Sequence, residues 1–166
     1  MAQTDERLRE KLVEYIEDAH AMERGVEQML KSMIASTRDP EMKSMLEHHL
    51  EETREQQQRL KHRLEAVGKG TSSLKDVGAA AAALPKGLFD QVRGDKPGRN
   101  ARDGYATEHL EIAAYELLER VARSAGDEAT ASVARENRRE EEEMARKIEG
   151  AWDRIAELTL VEEGVR

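Results

Sequence analysis

Between Thr107 and Tyr115 the sequence reads Thr-Glu-His-Leu-Glu-Ile-Ala-Ala-Tyr, setting two carboxylates into an apolar helical stripe. Leu110, Ala114, Leu117, Leu118, Val121 and Ala122 recur at helical spacing around Glu108 and Glu111. A charged side chain rarely sits in a helix seam unless it is paired or binds a metal. The folds open to this chain are therefore those in which other helices bring partners to the same depth. Three further stretches offer carboxylates for that purpose.

Composition agrees with a helical answer. The 166 residues suffice for one domain, 1–166, with a sizeable core. Charged residues make up 37% and aromatics 3%, with three prolines, which is the balance of a helical bundle. A net charge of −8 argues against a nucleic-acid partner, because phosphate recognition needs a basic face. The lack of cysteine removes disulfides, thiolate zinc sites and cysteine nucleophiles. No apolar run approaches the roughly 20 residues that span a bilayer, so no membrane partner is expected. The polar start, Met1 to Arg7, does not read as a secretory signal, and a cytoplasmic protein is the expectation.

The periodicity predicts an all-α antiparallel four-helix bundle, with helices over 5–36, 40–67, 101–124 and 128–158. The first has a seam of Leu12, Tyr15, Ala19, Met22, Val26, Met29 and Met33, flanked by the row Ile16, Glu23, Leu30. Asp39 and Pro40 open the second helix as N-cap and first residue. Its seam is apolar at Met42, Met45, Leu46 and Leu50 and again at Leu60, Leu64 and Val67, but turns polar at Glu52, Thr53, Gln56 and Gln57. His48 and His49 precede this gap; at most one faces inward, and a solvated ring is expected of either. Residues 68–100 form a long crossover. It is expected to hold a short helix ending near Leu84–Pro85, an amphipathic piece at Leu88, Phe89 and Val92, and a turn over Gly94–Gly98. Gly126 ends the third helix and Asp127 caps the fourth. Within the charged run Arg138–Glu143, only Glu140 and Glu141, with nearby Asn137, have a claim on the interior.

The two halves superpose at an offset of 88, which matches Asp39 with Asp127. That offset carries Glu23 onto Glu111, His20 onto Glu108, Glu52 onto Glu140 and Glu55 onto Glu143. A pair of such hairpins brings one carboxylate per helix to mid-bundle. Four buried carboxylates repel one another, and a pair of divalent cations removes that problem. Oxygen-rich sites suit iron, manganese or magnesium rather than zinc or copper.

From about Leu12 to Leu158 the chain resembles the ferritin-like family typified by the bacterial stress proteins YciE and YciF. The resemblance rests on three stretches: Glu17-Asp18 leading to Glu23, Asp39-Pro40-Glu41 leading to His49-Leu50-Glu51-Glu52-Thr53, and Glu108 through Tyr115. It implies a ferritin-like four-helix fold with one long crossover, a centre of two divalent metal ions, iron favoured over manganese, and a homodimer. The implied function is stress-related di-iron chemistry, ferroxidase-like or peroxide-consuming, with dioxygen or peroxide as substrate. Carried over by position, Glu23 and Glu111 would be terminal ligands, Glu52 and Glu140 or Glu141 bridges, and Glu108 a fifth ligand. Relatives commonly have a histidine shortly after the Glu52 position, where this chain has Gln56, and an acidic residue where it has Ala145. No Glu-x-x-His occurs on the second or fourth helix; Glu55 and Glu143 stand where the histidines would. Either these glutamates complete an all-oxygen site, with His20 as the available nitrogen donor, or the site is degenerate. In the latter case the chain is a metal-free structural or interaction protein of the stress response, its seam glutamates paired with Gln56, Gln57, His49 and arginines.

Overall fold

A computed structural model of the chain describes residues 2–68 and 96–166. Those residues form five helices and no strand: α1 (Ala2–Ser36), α2 (Pro40–Ala66), α3 (Lys96–Ser124), α4 (Glu128–Gly150) and α5 (Trp152–Glu162). The short helix near Leu84 and the amphipathic piece at Leu88–Val92 lie outside the described residues.

Local chemistry sets the hairpin ends. Asp39 accepts a hydrogen bond from the Met42 amide at 3.0 Å, and Pro40 follows at the first helical position, where its missing N–H costs nothing. Asp127 accepts from the Thr130 amide at 2.9 Å and also receives Arg63 Nη2 on both oxygens at 3.0 Å. Gly126, with φ +72°, makes the left-handed turn between α3 and α4. The sequence places a turn over Gly94–Gly98, but α3 already runs from Lys96. Pro97 falls in its first turn, where proline is tolerated. The fourth helix does not continue to Leu158. At Ala151 the ladder tightens to an amide bond onto Ile148, and the chain restarts as α5, which lies on α3 with Trp152 edge-on to Tyr105.

α1 packs on α2 and α3, and α4 packs on the same two, so α1 faces α4 and α2 faces α3 across the diagonals. Two apolar clusters fill the ends. Leu12, Ile16, Leu60, Leu64, Leu118 and Ala131 close one end; Val26, Leu30, Leu46, Ala101, Ile148 and Ile155 close the other. Their membership fixes direction: α1 and α4 run one way, α2 and α3 the other. The end of α2 and the start of α3 therefore lie at opposite ends of the bundle, as one long crossover requires.

Two seams are rotated from their expected phase. In α1 the centre is Leu12, Ile16, Ala19, Glu23, Val26, Leu30 and Met33, all buried, while Tyr15 and Met22 are only partly so. In α3 it is Ala101, Gly104, Glu108, Glu111, Tyr115, Leu118 and Ala122. Leu110 and Leu117, expected in the seam, point outward at 47% and 45% exposure. Where that face meets the bundle's polar level it carries Glu108 and Glu111 in place of apolar side chains.

Truncating the closed end should be costly. Leu64→Ala is expected to lower unfolding free energy by about 2–5 kcal/mol in urea titration, whereas Val165→Ala, at an exposed position, should stay within about 0.5 kcal/mol.

Candidate metal centre

Between the two apolar clusters lies a layer of polar side chains. Glu23 comes from α1, His49, Thr53 and Gln56 from α2, Glu108 and Glu111 from α3, and Asn137 and Glu141 from α4, all buried. His49, Glu108, Glu111 and Glu141 each offer one ligand atom, and these four atoms lie within 4.8 Å of one another. At that separation two ionised carboxylates repel by about 3 kcal/mol at an effective dielectric of about 20.

The layer is only half satisfied from within the protein. Tyr115 donates its hydroxyl proton to Glu23 Oε1, and Asn137 Nδ2 donates to Tyr115 Oη at 2.9 Å. Gln56 Nε2 donates to Glu141 Oε1 and, at 2.9 Å, to Glu140 Oε2. His49 Nδ1 lies 3.2 Å from Glu52 Oε2, and its Nε2 lies 3.3 Å from Glu108 Oε2 and 3.5 Å from Glu141 Oε2. The second oxygens of Glu23, Glu108 and Glu141, and both oxygens of Glu111, have no hydrogen-bond partner in the protein. Buried polar atoms are rarely left so, and each costs about 1–3 kcal/mol. Bare carboxylate oxygens converging with one imidazole nitrogen are a donor set that iron or manganese accepts, so the residues present fit such an ion.

Of the residues singled out from sequence, Glu23, Glu108, Glu111 and Glu141 come together in this layer. Glu52 and Glu140 sit half-buried at its rim, Glu52 between His48 and His49, Glu140 against Arg59 and Gln56. Glu55, like its counterpart Glu143, is exposed. His20 is buried but outside the cluster, its Nδ1 without a hydrogen bond. Burial, then Arg24 and Lys61, holds its pKa low and its ring neutral. His49 corrects the expectation of a solvated ring: it is 1% exposed, while His48 is the one that faces out. Its signal lay in the row Leu46, His49, Thr53, Gln56, Leu60, one residue out of phase with Glu52.

Residues 7–160 match the model of a family described as Domain of unknown function (DUF892). The chain belongs to the DUF892 family. Solved structures bear out the fold of this DUF892 chain. A protein from Xanthomonas campestris pv. campestris is 32% identical, with a TM-score of 0.76 over 95% of this chain and 99% of that one. The Escherichia coli stress protein YciF is 17% identical, with a TM-score of 0.72 over 90% and 97%. A dodecameric thioferritin, the bacterioferritin-related protein of Bacteroides fragilis, is 14% identical, with a TM-score of 0.69 over 95% and 96%.

Burial dominates the electrostatics of the DUF892 layer. It pushes Glu23 up to about 8, against the opposing hydrogen bond from Tyr115. It drives Glu111 well above the usual carboxylate range, with Glu141, Glu23 and Glu108 adding to the rise. Glu141 is raised by burial, then by Glu23. Burial alone would lower His49, but Glu108, then Glu52 and Glu141, raise it well above its ordinary value. Tyr115, raised by burial and Glu23, keeps its proton and its role as donor.

Glu23, Glu111, Glu141, His49 and Tyr115 all hold protons more tightly folded than unfolded, so stability is lost as pH rises. For Glu23 the window runs from its unfolded value near 4.5 up to about 8. Metal-free protein should therefore show a Tm that falls as pH rises through neutrality. Glu23→Gln, whose amide oxygen can still accept from Tyr115, should raise Tm on the alkaline side and flatten the profile; a profile as steep as the parent's would refute the assignment.

Proposed function

We propose that this chain is a di-metal carboxylate protein, with Glu23, His49, Glu108, Glu111 and Glu141 as ligands and two divalent ions, iron before manganese, as cofactor. The observation that carries the proposal is Glu111. Both its oxygens are buried, neither meets a donor, and three other carboxylates act on it. Four carboxylates with a neutral imidazole carry four negative charges, which two divalent ions balance; one ion would leave two of them buried and unpaired.

The surrounding residues divide the ligand atoms. Tyr115 and Gln56 each hold one oxygen of Glu23 and Glu141 and leave the other bare. Glu52, accepting from His49 Nδ1, fixes the tautomer that turns the Nε2 lone pair inward, as carboxylates behind metal-bound histidines do. This reading moves Glu52 from ligand to orienting group, and Glu111, with both oxygens free of protein donors, would be a ligand. His49 supplies the imidazole that Gln56 does not. Bound iron would supply electron transfer to dioxygen or peroxide, and a stress-related role belongs to the same proposal.

The metal-free alternative finds support in Gln56, which ties Glu140 and Glu141 together, and in His49, which faces three carboxylates. It leaves Glu111 without a partner. The outward Leu110 and Leu117, two turns apart on α3, support a homodimer through that helix.

Elemental analysis after anaerobic Fe(II) loading and desalting should give near two metals per chain. Near zero, both as purified and after loading, would sink the metal reading. Glu111→Ala should abolish binding and stabilise the metal-free protein. Glu52→Ala should weaken binding about 10–100-fold, while Glu55→Ala should leave it unchanged. Leu110→Lys with Leu117→Lys should halve the mass measured by light scattering; an unchanged mass would remove α3 from the interface.

A further inference from the structure

A cavity of about 290 Å³ enters the bundle at the α1–α2 loop and ends at the polar layer. Leu30, Leu46, Met144 and Ile155 wall it with apolar surface. Along α3 it follows a single face, Pro97, Ala101, Gly104 and Glu108, a run of about 16 Å at 1.5 Å per residue. Its shape is thus a slot along the bundle axis, and Glu108 is the one member of the layer that lines it.

Two features make the slot more than a packing gap. Glu108 is 1% exposed; its Oε2, without a hydrogen-bond partner, lies 3.3 Å from His49 Nε2, and its carboxylate closes the deep end of the slot. Gly104 sits mid-helix without a positive φ. A Cβ there would meet only Ile148 Cδ1, at an ordinary 3.6 Å. Neither backbone nor packing requires glycine, and alanine would favour the helix by about 1 kcal/mol. What glycine provides is width in the slot, beside the small Ala101.

We propose that this slot binds an unbranched, uncharged aliphatic molecule carrying a hydrogen-bond donor at one end, of the class of primary alcohols. The donor sits on Glu108 and the chain lies along the apolar walls toward the mouth. An anionic head group is excluded from the deep end by the carboxylates behind Glu108. Binding itself does not depend on the metal centre; only the consequence that the ligand's polar end meets that centre rests on the proposed function.

The test is calorimetric titration of 1-octanol into the purified full chain, metal-free and Fe(II)-loaded, with sodium octanoate as the charged counterpart. Saturable binding of one octanol per chain is expected, with octanoate weaker by about ten-fold or more. Gly104→Leu and, as a second variant, Ala101→Leu fill the slot and should each reduce octanol affinity by about ten-fold or more with helical circular dichroism unchanged. No saturable binding to the parent chain means that the slot is closed in solution and overturns the proposal. Unchanged affinity in a folded filling variant overturns it too, and octanoate binding as tightly as octanol overturns the placement on Glu108. Octanol bound by a chain that takes up no metal would keep the slot and remove the metal centre; metal taken up without octanol would do the reverse.

Discussion

A carboxylate taken from water into a helical core gives up hydration worth several kcal/mol, and a neighbouring partner or a proton must make up the loss. Glu23, Glu108, Glu111 and Glu141 make that exchange at one level of the bundle. The rest of the structure is arranged about it. Apolar clusters lie above and below the level, and burial there raises the cost of every bare oxygen and the strength of every contact inside. Tyr115, Gln56 and Asn137 are spent on fixing particular oxygens rather than on neutralising charge. The arginines stay outside: Arg59 takes Glu140 at the rim, and Arg63 closes the far end at Asp127. The interior is thus left with more carboxyl groups than partners, with His49 as the single basic group among the four clustered ligands.

The architecture was legible because helix termini announce themselves chemically. Asp39-Pro40, Gly126 and Asp127 carry their signals in one or two residues, and all sit where the sequence puts them. Helix phase was harder. A seam rotated by one residue still has leucines and methionines close to the expected stripe, so Tyr15 and Met22 in α1 were nearly as good a choice as Ile16 and Glu23. The error shows only where polar residues mark the level. There, one step of phase exchanged Glu52 for His49 on α2 and turned Leu110 and Leu117 outward on α3. The break at Ala151 had even less signal, since the apolar period runs on through Ile155 while the helix stops at Gly150 and restarts at Trp152.

The offset of 88 between the halves served better than any single motif. It joins His49 with Asn137, Thr53 with Glu141, and His20 with Glu108, all buried, and it joins Glu55 with Glu143, both exposed. The backbone plan is therefore repeated while the chemistry is not. The first hairpin supplies Glu23 and His49; the second supplies Glu108, Glu111 and Glu141. Sequence pattern reports the shared plan, and the asymmetry appears only when side chains from both hairpins are seen at one level.

That division of ligands has a kinetic side. Contacts within a hairpin are closer in sequence than contacts between hairpins and close at lower entropic cost. Neither hairpin contains the whole layer. The carboxylates lose their water only when the hairpins close on each other, so the electrostatic opposition is concentrated in docking, and helix formation escapes it. A cation or proton that neutralises the layer then acts on this late step. The barrier to assembling the bundle is in this sense chemical, set by whatever occupies the centre of the core at the moment the hairpins meet.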